Sequence, residues 1–487
     1  MRVRLVSLIG LVFAVPALAG DSKDPTWWQK YQFIQAGSDT GPVGPISSVT
    51  VGSNVNVSNE CGPQSETFIA MRDKYTLAAG SNEIFRLPMR GYSSTNGGTT
   101  WTGTDLPLPP AIGANGIDFG SDPSLAWDSK GTLFYSYIVV FFGHGNGING
   151  TEMAVSRSID NGNTWTPTYF SFSGGSNHFN DKPMITADRN QDSQFRDHVY
   201  VAWDAASGGS ATGGGVLVAS SSDGGKSFGI VRVDDPHGPG RSIGAVPFTG
   251  PKGELYVAWN DYAANTIAFT RSIDGGATFS GRTVISRKTL AFDVAVPAES
   301  FRSALVYPAC DADRSGGKYN GRLYCSWLDA GAEGTDIFLS SSDDSGATWS
   351  AAKPVGDRLG FPVDRFDHWL AVDNKTGDVV VSFYDTRNDT TGQRYQTDTY
   401  LTRSKDGGAT FGPDIRVSSE SSNEHDCNGI FPCSAINYGN QQGDYEGVAT
   451  YDGAAHPIWT DSRENQSTIG CPAGLTKMEE VFSATVK

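Results

Sequence analysis

The chain has 487 residues, with 37 Lys plus Arg against 53 Asp plus Glu and a formal charge of −16. That balance excludes nucleic acid and anionic membrane surfaces as partners, because both demand clustered cations. With 59 Gly, 24 Pro and 11% aromatic residues, the composition favours many short strands joined by tight turns and leaves little room for helices.

The first nineteen residues read as a signal peptide: Arg2 and Arg4 precede the apolar run LVSLIGLVFAV, and the small-residue site ALA ends at Ala19. An exported protein beginning at Gly20 is therefore expected, with an extension over 20–45 and one folded domain over 46–487. No later stretch offers the ~18 apolar residues of a membrane-spanning helix. The expectation is a secreted monomer, extracellular or periplasmic, without a membrane anchor.

Six cysteines in an exported chain imply disulfides. Cys310 and Cys325 flank the turn SGGKYNG and could face each other across a hairpin, while Cys427 and Cys433 close a short loop. Cys61 and Cys471 remain, and their pairing would tie the two ends of the domain together. No Cys-x-x-Cys with a matching His suggests a metal.

An eight-residue stretch recurs along the chain: STNGGTTW (94–101), SIDNGNTW (158–165), SSDGGKSF (221–228), SIDGGATF (272–279), SDDSGATW (342–349) and SKDGGATF (404–411). Its third residue is Asn96, Asp160, Asp223, Asp274, Asp344 and Asp406, at steps of 64, 63, 51, 70 and 62 residues. Two strand-like runs and a third precede each copy and a fourth follows, which predicts four antiparallel strands per unit and a β-propeller. Counting the second strand of each unit (TLAAGSNE, LFYSYIVV, HVYVAWDA, ELYVAWND, RLYCSWLD, VVVSFYDT, HPIWTDSR) gives seven blades. A six-bladed ring with an accessory segment is the alternative. The seventh unit lacks a fourth strand at the C-terminus, and ISSVTVGSNVNVS (46–58) is expected to supply it and close the ring.

The repeated acid reads as a turn fastener. An Asp here accepts backbone N–H bonds, the glycine takes the positive-φ position, and the Trp or Phe is delivered between adjacent sheets. Asn96 can do the same work, which suits a hydrogen-bonding role. The motif resembles the Asp box, or bacterial neuraminidase repeat, of the sialidase superfamily, and its copies span 94–411. The motif is specific for Asp-box propellers rather than for sialidase activity.

In such a blade the Asp box occupies the turn between the third and fourth strands. The segments that enter the first strand and leave the second open on the other face. Entering are Glu66, Asp122, Asp181 with Lys182, Asp367 with His368, and Asp444-Tyr445-Glu446; leaving are Glu83 and Arg86, Asp204, Asn260 with Asp261, Asp329, Asp385 with Arg387, and Asp461 with Arg463 and Glu464. Most are expected to tie strand ends to loops. A rim this acidic could hold Ca2+ at its mouth, although no loop has regular ligand spacing, and no cofactor is required. A charged funnel is the default ligand site of such a fold, here for a glycan or glycoconjugate.

The resemblance implies a Tyr nucleophile assisted by a carboxylate, an acid/base Asp, and arginines that hold a sugar carboxylate. On that reading Tyr445, flanked by Asp444 and Glu446 and partnered by Glu66 or another rim carboxylate, is the catalytic candidate. Arg86 of the FRLP stretch, Arg387 and Arg463, with Asp385, Asp461 and His368, form the substrate-binding candidates. The implied activity is an exo-sialidase-type glycoside hydrolase. A binding propeller and a two-carboxylate glycosidase are the alternatives.

Overall fold

The computed structural model describes residues 49–60, 63–83, 86–110, 117–143, 148–174, 179–206, 215–234, 242–299, 302–425, 442–463 and 479–487. The expected signal peptide, the 20–45 extension, Glu464, and Cys61, Cys427, Cys433 and Cys471 lie outside these residues.

Seven four-stranded antiparallel sheets follow one another along the chain. Blade 1 is built from Gln64–Met71, Leu77–Glu83, Arg90–Ser94 and Thr102–Asp105, and blade 2 from Ile117–Trp127, Leu133–Phe142, Ile148–Ser158 and Thr166–Gly174. Blade 3 comprises Phe179–Ala187, Val199–Ala206, Val216–Ser221 and Gly229–Arg232; blade 4 comprises Ser242–Thr249, Leu255–Asp261, Thr266–Ser272 and Thr283–Arg287. Blade 5 uses Ala309–Ala312, Leu323–Ala330, Thr335–Ser342 and Lys353–Pro354, and blade 6 uses Arg365–Val372, Val379–Asp385, Gln396–Ser404 and Ile415–Arg416. Blade 7 contains Gly447–Tyr451, Ala454–Asp461 and Glu480–Ser483, and Val55–Asn56 pairs with the last of these to complete it. The chain is thus a seven-bladed Asp-box propeller, closed by its N-terminal strand.

The first strands of neighbouring blades pack against one another around the axis. The second strands carry the core: Trp203, Trp259, Trp327 and Trp459, at equivalent places in blades 3, 4, 5 and 7, are fully buried, with Phe383 at that place in blade 6. Cys310 and Cys325 are disulfide-bonded directly opposite each other on the first two strands of blade 5.

The repeated turns behave as their composition requires. The Asp344 carboxylate accepts from Thr348 N at 2.8 Å, Thr348 Oγ1 at 2.6 Å and Ser342 Oγ at 2.8 Å. Hydrogen bonds from Thr348 and Ser342 hold its pKa down at about 2. Asp160, Asp223, Asp274 and Asp406 repeat this pattern. In blade 1 Asn96 Oδ1 accepts from Thr100 N at 3.0 Å, and its Nδ2 donates to Thr100 Oγ1 at 2.8 Å, so the amide reverses only the side-chain bond. The box aromatics reach the preceding blade: Trp165 Nε1 donates to Thr104 Oγ1 at 2.9 Å, and Phe228 stacks on Phe170 with ring centroids 4.5 Å apart.

Candidate functional site

The site starts with an irregularity in the inner strands. In blades 1, 2, 3, 4 and 6 the pairing of the first and second strands slips by a bulge at the rim end. The bulged residues Glu66, Asp122, Lys182, Gly244 and Asp367 all have positive φ, at 53°, 62°, 46°, 71° and 44°. Only Gly244 adopts this conformation freely, and left-handed non-glycine residues cost about 1–3 kcal/mol each. Four of the five positions hold ionisable side chains, and these converge on the axis.

Blade-to-blade bonds hold the bulges in place. Asn82 Oδ1 accepts from Asp122 N at 2.7 Å, Asp122 Oδ2 from Lys182 N at 3.0 Å, and Asp204 Oδ2 from Gly244 N at 2.5 Å. A side chain of each of blades 1, 2 and 3 thus fixes the bulged residue of the next blade.

Asp444 stands at the centre of the cluster. Arg302 clamps it with Nε to Oδ1 at 2.5 Å and Nη2 to Oδ2 at 2.6 Å, and Nη2 also reaches Glu66 Oε1 at 3.3 Å. Glu66 Oε2 accepts from Asn82 Nδ2 at 2.7 Å. Burial pushes Glu66 well above the ordinary carboxylate range, and the neighbouring Asp444 and Asp122 push it further, outweighing Arg302. Asp181 is raised for the same reasons, by burial and then by Asp122. Asp122 therefore lies between two carboxyl groups whose pKa values are raised. Its own two oxygens accept from Ser121 Oγ at 2.6 Å and Lys182 N at 3.0 Å.

Lys182 supplies the cation on the other side. Its ammonium lies 3.7 Å from the ring centroid of Tyr445, 4.2 Å from Tyr307 and 5.7 Å from Trp369, with no hydrogen-bond partner. Burial draws its pKa down to about 8, although Asp444, Glu66 and Asp122 favour the charged form. An aromatic cage holds a desolvated ammonium through the faces of the rings.

A cleft of about 710 Å³ opens on this rim over blades 1–3. Glu66, Asp122, Asp181 and Arg302 line its charged part, and Phe119 and Phe179 line an apolar part. The combination suits a sugar, which presents hydroxyls at its edge and C–H groups on its faces.

Of the catalytic candidates from the sequence, Glu66, Asp444 and Tyr445 meet here, and the rim residues Glu83, Arg86, Asp122 and Asp181 line the cleft. Tyr445 is buried and its hydroxyl donates to Pro123 O at 3.2 Å. Burial raises its pKa well above that of an ordinary phenol, with Glu66 and Asp122 adding to the effect. Glu446 sits towards Ser382 and Tyr384 of blade 6, so adjacent residues of this segment face apart. His368 is buried, and that burial lowers its pKa to about 4; it does not line the cleft.

The three arginines are engaged separately. Arg86 bonds Glu60 and Asp105. Arg387 bridges Asp385 at 2.7 Å and Asp414 at 2.6 Å over the Tyr400 ring. Arg463 pairs with Asp461 at 2.5 Å and reaches Asn54 at 3.1 Å, over the Phe482 ring. No carboxylate partner is common to any two of them. Asp385 also takes Arg365 at 2.9 Å, and Asp461 takes Trp459 Nε1 at 2.7 Å, which are strand-end fastenings.

Sequence reasoning passed over Arg302 and Tyr307. They belong to an insertion between blades 4 and 5, around the small pair Asp293–Val294 and Ala304–Leu305, where no repeat marks the position. Asp122, Asp181 and Lys182 were visible on the rim, and only the bulge geometry distinguishes them from the other strand-end residues. Among the described residues no group of three or more His, Cys, Asp or Glu is disposed to hold a metal. No described helix is long and apolar enough to cross a membrane.

No protein-family model matches the chain, and no curated protein matches it. Among solved structures it is similar to the Hadza microbial sialidase Hz136, at 14% identity over 68% of this chain and 66% of that one, with a TM-score of 0.47. The leech intramolecular trans-sialidase complexed with 2,7-anhydro-Neu5Ac matches at 12% identity over 73% and 70%, TM-score 0.46. The GH93 α-L-arabinofuranosidase of Fusarium graminearum with arabinobiose matches at 14% identity over 69% and 93%, TM-score 0.46.

Proposed function

We propose that the chain is a secreted glycoside hydrolase that works in the rim cleft with paired carboxyl groups. The observation that supports this most is the Glu66–Asp122–Asp181 cluster on the cleft floor, where burial and neighbouring carboxylates raise the pKa values of Glu66 and Asp181 beside Asp122. Groups of carboxyls whose surroundings force them to share protons divide into an acid and a base. Glu66 gives its proton to the glycosidic oxygen as that bond breaks. The water that attacks the anomeric carbon gives its proton to an ionised carboxylate across the cleft, so one water is consumed and the protons balance, while Asp122, hydrogen-bonded to Glu66, holds the proton donor in place. Lys182 and Arg302 limit the accumulated negative charge.

The same electrostatics favour a neutral sugar. An anionic substrate would meet a carboxyl-rich floor whose two lining guanidiniums are already engaged, Arg302 by Asp444 and Arg86 by Glu60 and Asp105. A second reading, an exo-sialidase with Tyr445 as nucleophile, is favoured by the proximity of Glu66 to Tyr445, since a phenol needs a base to attack.

The test is hydrolysis of aryl glycosides of neutral sugars beside an aryl sialoside, with Glu66→Gln and Tyr445→Phe variants. Turnover of a neutral glycoside that depends on Glu66 and survives Tyr445→Phe is the expected result. Sialoside turnover abolished by Tyr445→Phe would establish the second reading. A wild-type protein that binds glycans and cleaves none would make the rim a recognition site.

A further inference from the structure

The axis has a second opening, on the Asp-box face, and its charge is the reverse of the rim's. A funnel of about 770 Å³ is lined there by the turns joining the first and second strands of several blades. Four cations, Arg189, Arg196, Arg314 and Lys375, face two carboxylates, Asp192 and Asp311. In a chain of net charge −16, this is a local inversion of sign.

Three of the four cations lack a carboxylate partner among the described residues. Arg189 donates to two neutral carbonyls, Met71 O at 3.0 Å and Arg72 O at 2.8 Å. Arg196 donates to Ser129 Oγ at 2.9 Å, and Lys375 lies 5.8 Å from the ring centroid of Tyr451. Only Arg314 is paired, with Asp311 at 2.7 Å. Burial lowers the Arg189 pKa most, and the positive charge of Arg314 adds to the lowering, so the two guanidiniums sense each other. The rim arginines behave differently: Arg86, Arg302, Arg365, Arg387 and Arg463 all hold carboxylates. Like charges gathered without counter-charges are destabilising, and an anion between them relieves that cost.

We propose that the Asp-box-face funnel is a second binding site, for an oxyanion group such as a sulfate ester or carboxylate carried on a glycan chain. Arg196 and Lys375 are exposed at the mouth and make the first contact. Arg189 and Arg314 lie deeper in the lining. The amides of Asn190 and Asn374, also in the lining, match sugar hydroxyls. This site is independent of the proposed hydrolysis at the other end of the axis, which needs none of these residues.

The test is calorimetric titration of the full chain with dextran sulfate, uncharged dextran and inorganic sulfate, at low and at physiological ionic strength. Dextran sulfate is expected to bind and uncharged dextran not to, with an affinity that falls as salt rises. The double variant Arg196→Ala/Lys375→Ala should weaken that binding by at least about tenfold. Lys226→Ala/Lys405→Ala, which removes two exposed lysines from Asp-box turns of the same face, should leave it within about twofold. All four side chains are exposed, so unchanged thermal midpoints will show that the variants fold. Full competition by inorganic sulfate identifies a free oxyanion as the natural occupant, and failure to compete identifies a glycan-borne one. Absence of binding to any anionic probe, or equal weakening by the two double variants, overturns the proposal.

Discussion

Blades 2 to 6 carry an Asp-box carboxylate at one end and rim carboxylates at the other, and the two ends treat them in opposite ways. The Asp-box acids are exposed and receive hydrogen bonds, so their pKa values fall, to about 2 for Asp274 and Asp344. The rim acids Glu66, Asp181, Asp204 and Asp367 are dominated by burial, so theirs rise. Residue type is the same, and the sign is decided by whether donors or desolvation prevail. The proposed chemistry belongs to the end where burial raises carboxyl pKa values.

Breaking the rim should give the largest effect. Glu66→Gln removes the proton donor and keeps the shape, and should lower kcat on a poor-leaving-group glycoside by about 10²–10⁴-fold with little change in KM. A smaller loss with an activated aryl leaving group would confirm that the missing step is protonation. Arg387→Met addresses a rim pair read as fastening: it leaves Asp385 and Asp414 short of a buried partner and should cost about 3 kcal/mol in denaturant unfolding, while kcat/KM of the folded protein stays near wild type.

Lys182→Met sharpens the electrostatic side. Without that ammonium the nearby carboxyls become harder to ionise, so the acid limb of the pH–rate profile should move upward, with kcat reduced about tenfold. The smallest effect belongs to the Asp boxes. Asp344→Asn should be close to neutral, because Asn96 already fills that role in blade 1, whereas Asp344→Ala should cost about 1 kcal/mol, read as a lower thermal midpoint.

The two ends also oppose each other in pH. Asp-box acids have lowered pKa values, so they contribute stability above the unfolded value, lost as pH falls through about 2. Glu83, raised to about 7 mainly by burial, works the other way. Its folded form holds the proton more tightly, so stability falls as pH climbs from the unfolded value to about 7. Glu83→Gln should therefore flatten the neutral side of a stability–pH curve and leave the acid side unchanged.

Much of this architecture was legible beforehand. Six boxes marked six blades, the second-strand runs such as ELYVAWND counted seven, and the 46–58 stretch supplied the closing strand as Val55–Asn56. The alternative of six blades does not hold, because Gly447–Tyr451 opens a seventh sheet. The candidate site was half legible: repeat spacing pointed to the rim that carries the cleft, and Glu66, Asp444 and Tyr445 lie close together there. The arginines were matched by motif and strand position, and a motif cannot show that Arg387 is occupied by Asp385 and Asp414. Arg302 comes from an insertion without a repeat, and the left-handed bulges at Glu66, Asp122, Lys182 and Asp367 leave no mark in sequence, since glycine appears only in blade 4.

The contrast between the two ends is most directly tested by the infrared carboxyl C=O stretch at neutral pH. The predicted result is a protonated-carboxyl band that loses intensity in Glu66→Gln and is unaltered in Asp344→Asn. A spectrum without that band, or one unchanged by Glu66→Gln, would contradict the assignment of Glu66 as the rim's proton donor.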